Sequence, residues 1–279
     1  MKDVKDLIKK AAQIRLDTLI AMSKAGKGCT GSCMSVLEIL TSLYYGELAL
    51  RPLMNFDSQK PGWDGQDYMV LSKGHAAPTL YSILADLGFF DKSELDYFGQ
   101  KGSMLSLKPN SKIPGVCASI SSHGSGLSVA VGMALALKMD KLQNKVFAVL
   151  GDGELQEGQV WEAAMSASHY KLNNLIAVVD NNGVQSNNLL SGVMNVAPIQ
   201  EKFEAFGWQV IKVLDGHDFE ELFSAFERAF TVIRKPVCIW CKTVSGKGVD
   251  FAEGKPNYQG VTLSSGELES VISKLKNLV

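Results

Sequence analysis

The chain has 279 residues, of which 46% are hydrophobic and 20% charged, with a net charge of −1 and a pI near 6.4. That balance removes the electrostatic case for a nucleic-acid or anionic-membrane partner, and no apolar run approaches the roughly eighteen residues a membrane span needs. The length can bury a large core, residues 1–279 read as one domain without repeat or linker, and the mixed charges of Met1-Lys2-Asp3-Val4-Lys5-Asp6 leave no signal-peptide core, so a cytoplasmic protein is expected.

Helical periodicity opens the chain: Ile8, Ala11, Ala12, Leu16, Leu19 and Met22 share a face over residues 3–24, and Gly26 and Gly28 end the helix. Residues 26–32, Gly-Lys-Gly-Cys-Thr-Gly-Ser, predict a flexible turn, and residues 34–46 a second helix. Pro52, Pro61, Gly62 and Gly65 make residues 50–66 a long loop. Tyr68–Leu71 is a short strand ending at Ser72-Lys73-Gly74-His75, with a helix from Pro78 to Leu87 after it. Residues 100–122 lack periodicity, and a loop that long inside a compact domain is usually functional, here as a wall of an active site. Gly124–Met139 is a helix crowded with small residues, suited either to a partner chain or cofactor or to close packing on its own sheet.

Two apolar β-branched runs follow. Val146–Leu150 ends in Gly151-Asp152-Gly153-Glu154, and Leu175–Val179 ends in Asp180-Asn181-Asn182-Gly183, with a helical segment, Gly158–Tyr170, between them. Strand, helix and strand form one crossover unit of a parallel sheet, which puts both strand ends on one edge. Asp152 and Asn182, thirty positions apart, become neighbours where such sheets bind ligands, with His75 on the same edge. A carboxylate and an amide oxygen are hard ligands suited to Mg²⁺ or Ca²⁺. The Gly153 N–H and the helix start behind it offer donors to a phosphate. Gln185–Pro198 reads as a loop, Gln209–Leu214 and Pro236–Thr243 as strands flanking a helix over Asp218–Ile233, and Ser264-x-x-Glu267 as the capping box of a last helix. Of five cysteines, Cys238 and Cys241 sit in a strand at an offset of three and so point to opposite faces, which argues against a metal or redox pair and for free thiols.

The block Gly151-Asp152-Gly153-Glu154-Leu155-Gln156-Glu157-Gly158-Gln159-Val160-Trp161-Glu162-Ala163-Ala164 resembles the transketolase family, and most of all its short, split members. Leu71–Pro78, Gly126–Ala134, Phe206–Trp208, Gly216–Asp218 and Lys242–Val249 agree, so the similarity runs from about residue 10 to 260. The resemblance implies a doubly wound, mostly parallel α/β domain that binds the diphosphate and Mg²⁺ (or Ca²⁺) half of thiamine diphosphate. It implies metal ligands at Asp152, Asn182 and the Val184 carbonyl. Cofactor contacts are implied at His75, Ser121, His123, Asp152, Gly153, Glu154 and Asn182. Glu157 and Glu162 match acids that lie between two cofactors at a subunit interface. Trp161 reads as packing, and His217 as a loop histidine that fixes a turn. Three family histidines that meet the donor sugar are replaced, by Cys29 (with Thr30 at the following proline), Lys108 and Gln259. None of these reproduces imidazole acid–base behaviour, so the substrate side is rebuilt. Lys108 would meet a phosphate or carboxylate of an unusual sugar, or the donor is a 2-oxo acid.

In the family the acid that faces the cofactor's pyrimidine lies on a second domain, which would begin where this sequence stops, at Val279. The resemblance therefore implies a partner chain carrying the pyrimidine-binding domain, two copies of each, and no activity without it. The expected reaction moves a two-carbon ketol unit between sugars or sugar phosphates. The alternatives are a subunit of a 2-oxo-acid-dependent acyloin or deoxyxylulose-phosphate-type synthase, and a non-catalytic cofactor-binding partner.

Overall fold

The fold is given by a computed structural model that describes residues 3–49, 51–60 and 62–275. The chain's first two residues, Pro61 in the predicted loop and the end at Val279 lie outside them. In chain order the helices are α1 (Val4–Ala25), α2 (Thr30–Ser35), α3 (Leu37–Tyr45), α4 (Ala77–Asp86), α5 (Ser125–Met139), α6 (Gly158–His169), α7 (Leu190–Val193), α8 (Ile199–Ala205), α9 (Phe219–Phe230) and α10 (Ser265–Leu275). The main strands are β1 (Tyr68–Leu71), β2 (Val146–Gly151), β3 (Leu175–Asn181), β4 (Gln209–Val213) and β5 (Val237–Lys242). They form one parallel sheet in the order β1-β2-β3-β5-β4.

Side-chain alternation assigns the two faces. Phe147, Val149, Ile176, Val178 and Ile239 lie under α1, α3, α4 and α9, while Ala148, Leu150, Ala177, Val179 and Cys238 lie under α5, α6 and α8. Strands buried on both faces read as continuous apolar runs, which is why β2 and β3 stood out in the sequence. Cys238 and Cys241 fall on opposite faces, and all five cysteines are free. Gly151 is registered opposite Asp180, so the tips of β2 and β3 are level.

The first helix ends as expected at Gly26, in a left-handed conformation, and Asp3 caps its start. Its buried stripe includes Leu7 rather than Ile8, which is 49% exposed. The predicted turn is confined to residues 26–29: residues 30–32 begin α2, every residue of which is buried. A Cβ at Gly31 would lie 2.7 Å from the Gln259 Cα and 2.4 Å from Ser245 Oγ, so the small residues there permit close approach rather than mobility. The loop over Gln185–Pro198 contains α7, and the amphipathic α8, with Ile199 and Phe203 inward, was not anticipated. The capping box at Ser264 holds, its backbone N–H donating to Glu267 at 2.8 Å.

Helix α5 uses its small residues for close packing on its own sheet. Gly126, Ala130 and Ala134 face the sheet, while Ser128, Val129 and Gly132 face outward. A Cβ at Gly126 would meet Ser72 Cβ and Oγ at 2.5 Å and its Cα at 2.7 Å. Ser72 cannot retreat, because its hydroxyl holds Glu154. Gly126→Ala is therefore expected to destabilise by about 2 kcal/mol, overpacking outweighing the helix propensity that alanine adds. A lower urea midpoint at unchanged slope would show it.

Candidate cofactor site

Four strand tips converge on one edge, and each supplies a polar residue. Beyond β1 lies Lys73, beyond β2 Asp152, beyond β3 Asn182 and beyond β5 Thr243. The first three line a cleft of about 310 Å³ whose walls also include Cys29, His75, Gly153 and Val184, and Thr243 stands behind them.

Asp152 and Asn182 are joined through backbone. Asp152 Oδ2 accepts the Gly183 N–H at 2.7 Å and its Oδ1 accepts the Gly153 N–H at 2.8 Å. Asn182 Nδ2 donates to Ser35 Oγ at 3.1 Å, which turns its Oδ1 toward the Val184 N–H at 3.0 Å. Burial pushes the Asp152 carboxyl up to about 7; the nearby Asp180 adds to this, while the Gly183 amide, Lys73 and the Gly153 amide oppose it. Among the described residues no cluster of three His, Cys, Asp or Glu side chains suits a metal. A cation placed against Asp152, Asn182 Oδ1 and the Val184 carbonyl would meet one carboxylate and two neutral oxygens, a donor set that suits Mg²⁺ or Ca²⁺ completed by water and phosphate oxygens.

Beneath the cleft lies a fully buried ion pair. Lys73 Nζ bonds Asp180, whose other oxygen accepts the Thr243 hydroxyl. Ser35 Oγ donates to Asp180 Oδ2 at 2.6 Å and receives Lys73 Nζ at 3.3 Å. Ser35 thus connects the ion pair to the amide of Asn182. Asp180 lies at the end of an apolar strand, so its charge was visible in sequence, but nothing in the sequence marks Ser35, 147 positions from Asn182.

Glu154 is buried, and both oxygens have protein donors: Oε1 takes Ser72 Oγ at 2.7 Å and Gly124 N–H at 2.8 Å, and Oε2 takes Gly151 N–H at 2.8 Å. It fastens the start of α5 to the ends of β1 and β2. Gln259 is similarly engaged. Its Nε2 donates to Ser32 Oγ at 2.8 Å and to the Val184 carbonyl at 3.3 Å, and its Oε1 accepts Ser245 Oγ at 2.6 Å. It lines the cleft as a joint between α2, the Asn182 loop and the segment after β5. Lys108 donates to the Ser121 carbonyl, and neither residue lines the cleft. His123 is exposed at the rim, its ring 5.5 Å from that of His75. Glu157 is exposed and lines the cleft; Glu162, also exposed, does not. Cys29 opens onto the cleft, and burial raises its thiol above the usual range, partly offset by Lys73. It presents a neutral thiol, not an acid–base group.

Trp161 donates to the Leu155 carbonyl at 2.9 Å and stacks on Phe206, a packing role. His217 accepts the Val244 N–H at its Nε2, so its Nδ1 carries the proton donated to Glu38, a carboxylate also held by Arg15. It fixes the turn after β4 against the end of β5.

Burial, Lys73 and His123 push the His75 imidazole down to about 3. His75 is therefore a neutral donor and acceptor beside the cleft, not a cation. Between the ordinary value of 6.5 and about 3 the unfolded chain takes a proton that the native ring refuses, so this residue lowers stability as pH falls. The His75 ring signal in NMR is expected to stay flat from about pH 8 to 4, and His75→Gln to lessen the acid loss of stability.

A cleft lined by polar side chains and backbone at the tips of a parallel sheet is the place where α/β domains bind ligands. The chain matches a known family over residues 7–276, described as "Transketolase, thiamine diphosphate binding domain". It is 39% identical to the 6-deoxy-6-sulfo-D-fructose transketolase subunit SqwG of Clostridium sp. (strain MSTE9), over 97% of this chain and 96% of that one. It is 34% identical to an apulose-4-phosphate transketolase subunit of Phocaeicola vulgatus, over 95% and 91%. The solved transketolase of Campylobacter jejuni superimposes with a TM-score of 0.89 at 29% identity, covering 97% of this chain and 43% of that one. That from Leishmania mexicana gives 0.88 at 27%, covering 96% and 41%. The chain thus spans less than half of these solved transketolases but nearly all of the two subunits. It belongs to the transketolase family.

Proposed function

We propose that this chain is the diphosphate- and metal-binding subunit of a split, thiamine-diphosphate-dependent transketolase, acting with a partner chain that carries the pyrimidine-binding domain. The observation that carries the reading is the pairing of Asp152 with the Asn182 loop, 2.7 Å apart through the Gly183 amide, at the mouth of the cleft. Asp152, Asn182 Oδ1 and the Val184 carbonyl would hold the divalent cation, and Gly153 and His75 would lie against the diphosphate. Once bound, the cofactor supplies the carbanion chemistry that moves a two-carbon ketol unit between sugars or sugar phosphates. The chain's own residues anchor and orient it: Ser35 fixes the Asn182 amide, Gln259 fixes the Val184 loop, and Glu154 holds three strand and helix ends in place. The cation's role here is to anchor rather than to activate water.

Near end-to-end similarity to two named transketolase subunits supports the split arrangement, which we read as two copies of each chain, and weighs against a 2-oxo-acid synthase or a non-catalytic partner. The outward side of α5 and α6, where Val129 and Met165 are exposed, would take a second chain, with Glu157 and Glu162 near that surface. With Lys108 and Gln259 engaged by protein partners, Cys29 is the replacement left facing substrate. No helix among the described residues is long and apolar enough to cross a membrane, and we place the enzyme in the cytoplasm.

The test is to purify the chain with a candidate partner and offer 6-deoxy-6-sulfo-D-fructose, a ketose phosphate and pyruvate as donors. Cofactor-dependent transfer from one of the ketoses is expected in the complex and none from the chain alone. Turnover by the isolated chain, or transfer from pyruvate only, would refute the reading.

A further inference from the structure

A second cavity, of about 390 Å³, opens on the other side of the Asn181–Gly183 turn from the cofactor cleft, under the segment that runs from Leu190 to Glu201. Its polar groups are unbalanced. Lys212 and Trp240, both in its lining, are register partners on adjacent strands, so their backbones lie about 5 Å apart. Each stands two residues beyond Val210 and Cys238 respectively, on the face covered by α8. The Trp240 indole N–H is buried without an acceptor, and Gln200 Oε1 is buried without a donor, among the described residues. The Gln200 amide nitrogen is already engaged, by Glu204 Oε1 at 2.6 Å. Lys212 is exposed, and no ion pair among the described residues includes it, so the buried deficits are those of Trp240 and Gln200. Buried polar groups left without partners are rare in native proteins, and each calls for an explanation.

The deficits specify an occupant. The buried indole donor, with the exposed Lys212 ammonium on the neighbouring strand in the same lining, asks for an oxyanion. Gln200 Oε1 and the Glu201 carboxylate at the edge ask for a hydroxyl donor and would oppose an occupant that was anionic throughout. Leu190, Val196 and Ile199 supply apolar contact for a short carbon chain. The volume is that of a small-metabolite site. We propose that this cavity binds a small hydroxylated anion, a polyol phosphate or a hydroxy acid. Its anionic group lies between Lys212 Nζ and Trp240 Nε1, and one of its hydroxyls donates to Gln200 Oε1. Asn181 and Gly183 flank Asn182, so the occupant rests against the turn that carries the proposed metal ligand without entering the cofactor cleft.

The full-length chain, labelled with ¹⁵N at its four indoles, tests this by titration with glycerol 3-phosphate, D-glycerate and inorganic phosphate at constant ionic strength. The Trp240 indole signal is assigned by its disappearance in Trp240→Phe. It is expected to shift saturably with glycerol 3-phosphate or D-glycerate, and the stronger of the two distinguishes a phosphate from a carboxylate occupant. Lys212→Met is expected to weaken that binding about tenfold or more. Lys101→Met, on an exposed loop, should leave it unchanged, and unmoved signals from the other indoles confirm that the variants are folded. A Trp240 signal that does not respond, or equal affinity in Lys212→Met, overturns the site. Equal affinity for inorganic phosphate and glycerol 3-phosphate overturns the hydroxyl contact and with it the ligand class.

Discussion

Asp152→Asn is expected to abolish cofactor-dependent turnover of the assembled enzyme while leaving the chain folded. Asp152 is the one carboxylate among the three groups proposed to hold the cation, so its loss would leave that cation with the neutral oxygens of Asn182 and Val184. Even residues standing behind metal ligands change metal affinity by about ten- to a hundredfold, and a charged ligand should exceed that range. The fold should tolerate the change, since asparagine keeps one oxygen for the Gly153 or Gly183 amide. It should also alter the pH response without cofactor. As pH rises from 3.8 through about 7, the unfolded chain has released a proton that native Asp152 keeps, so charging this group works against the folded state. The variant lacks that loss. Calorimetric titration of Mg²⁺–thiamine diphosphate into the complex checks the first part, and denaturation from about pH 4 to 8 the second. Affinity within tenfold of the parent would remove Asp152 from the metal site.

Lys73→Met is expected to be the most destabilising single change near the site, by about 3–5 kcal/mol, because it strands a fully buried carboxylate. The Thr243 and Ser35 hydroxyls would remain on Asp180, but no positive charge would. Ser35 would also lose the ammonium that helps place it, so the orientation of Asn182 should loosen and cofactor affinity fall with stability. The double variant Lys73→Met/Asp180→Leu removes both charges and should recover part of the loss, as paired apolar replacements commonly do. Chemical denaturation of the three proteins closes the cycle. A single variant within about 1 kcal/mol of the parent would mean that the pair is solvated and carries little of the site.

Much of this architecture was legible because a parallel sheet buried on both faces leaves a plain trace. Each of the five main strands was marked by a short apolar run, and the glycines and asparagines that stop β2 and β3 also mark the ligand edge. The failures have a common cause. Cys29-Thr30-Gly31-Ser32 looked like a loose turn because local composition cannot tell glycine used for mobility from glycine used for contact, and the contact of Gly31 with Gln259 spans most of the chain. Helix α8 was missed because seven residues carry barely two turns of periodicity. At the site, the family resemblance located Gln259 and Lys108 but not what their side chains do. Both were read as facing substrate, whereas Gln259 bonds Ser32, Ser245 and Val184, and Lys108 bonds Ser121. Those partners are far apart in sequence and leave no local signal.

The carboxylate of Glu154 gathers Ser72 and Gly124 from 82 and 30 positions away, and Ser35 reaches Asn182 across 147. A pocket stitched from such distant segments does not exist until β1, β2, β3 and α2 have all docked. Cofactor present during refolding should then leave the rate of folding unchanged and slow only the reverse passage, since it recognises a surface completed at the last step. The vitamin-derived ligand would then latch a finished structure rather than act as a template for building one.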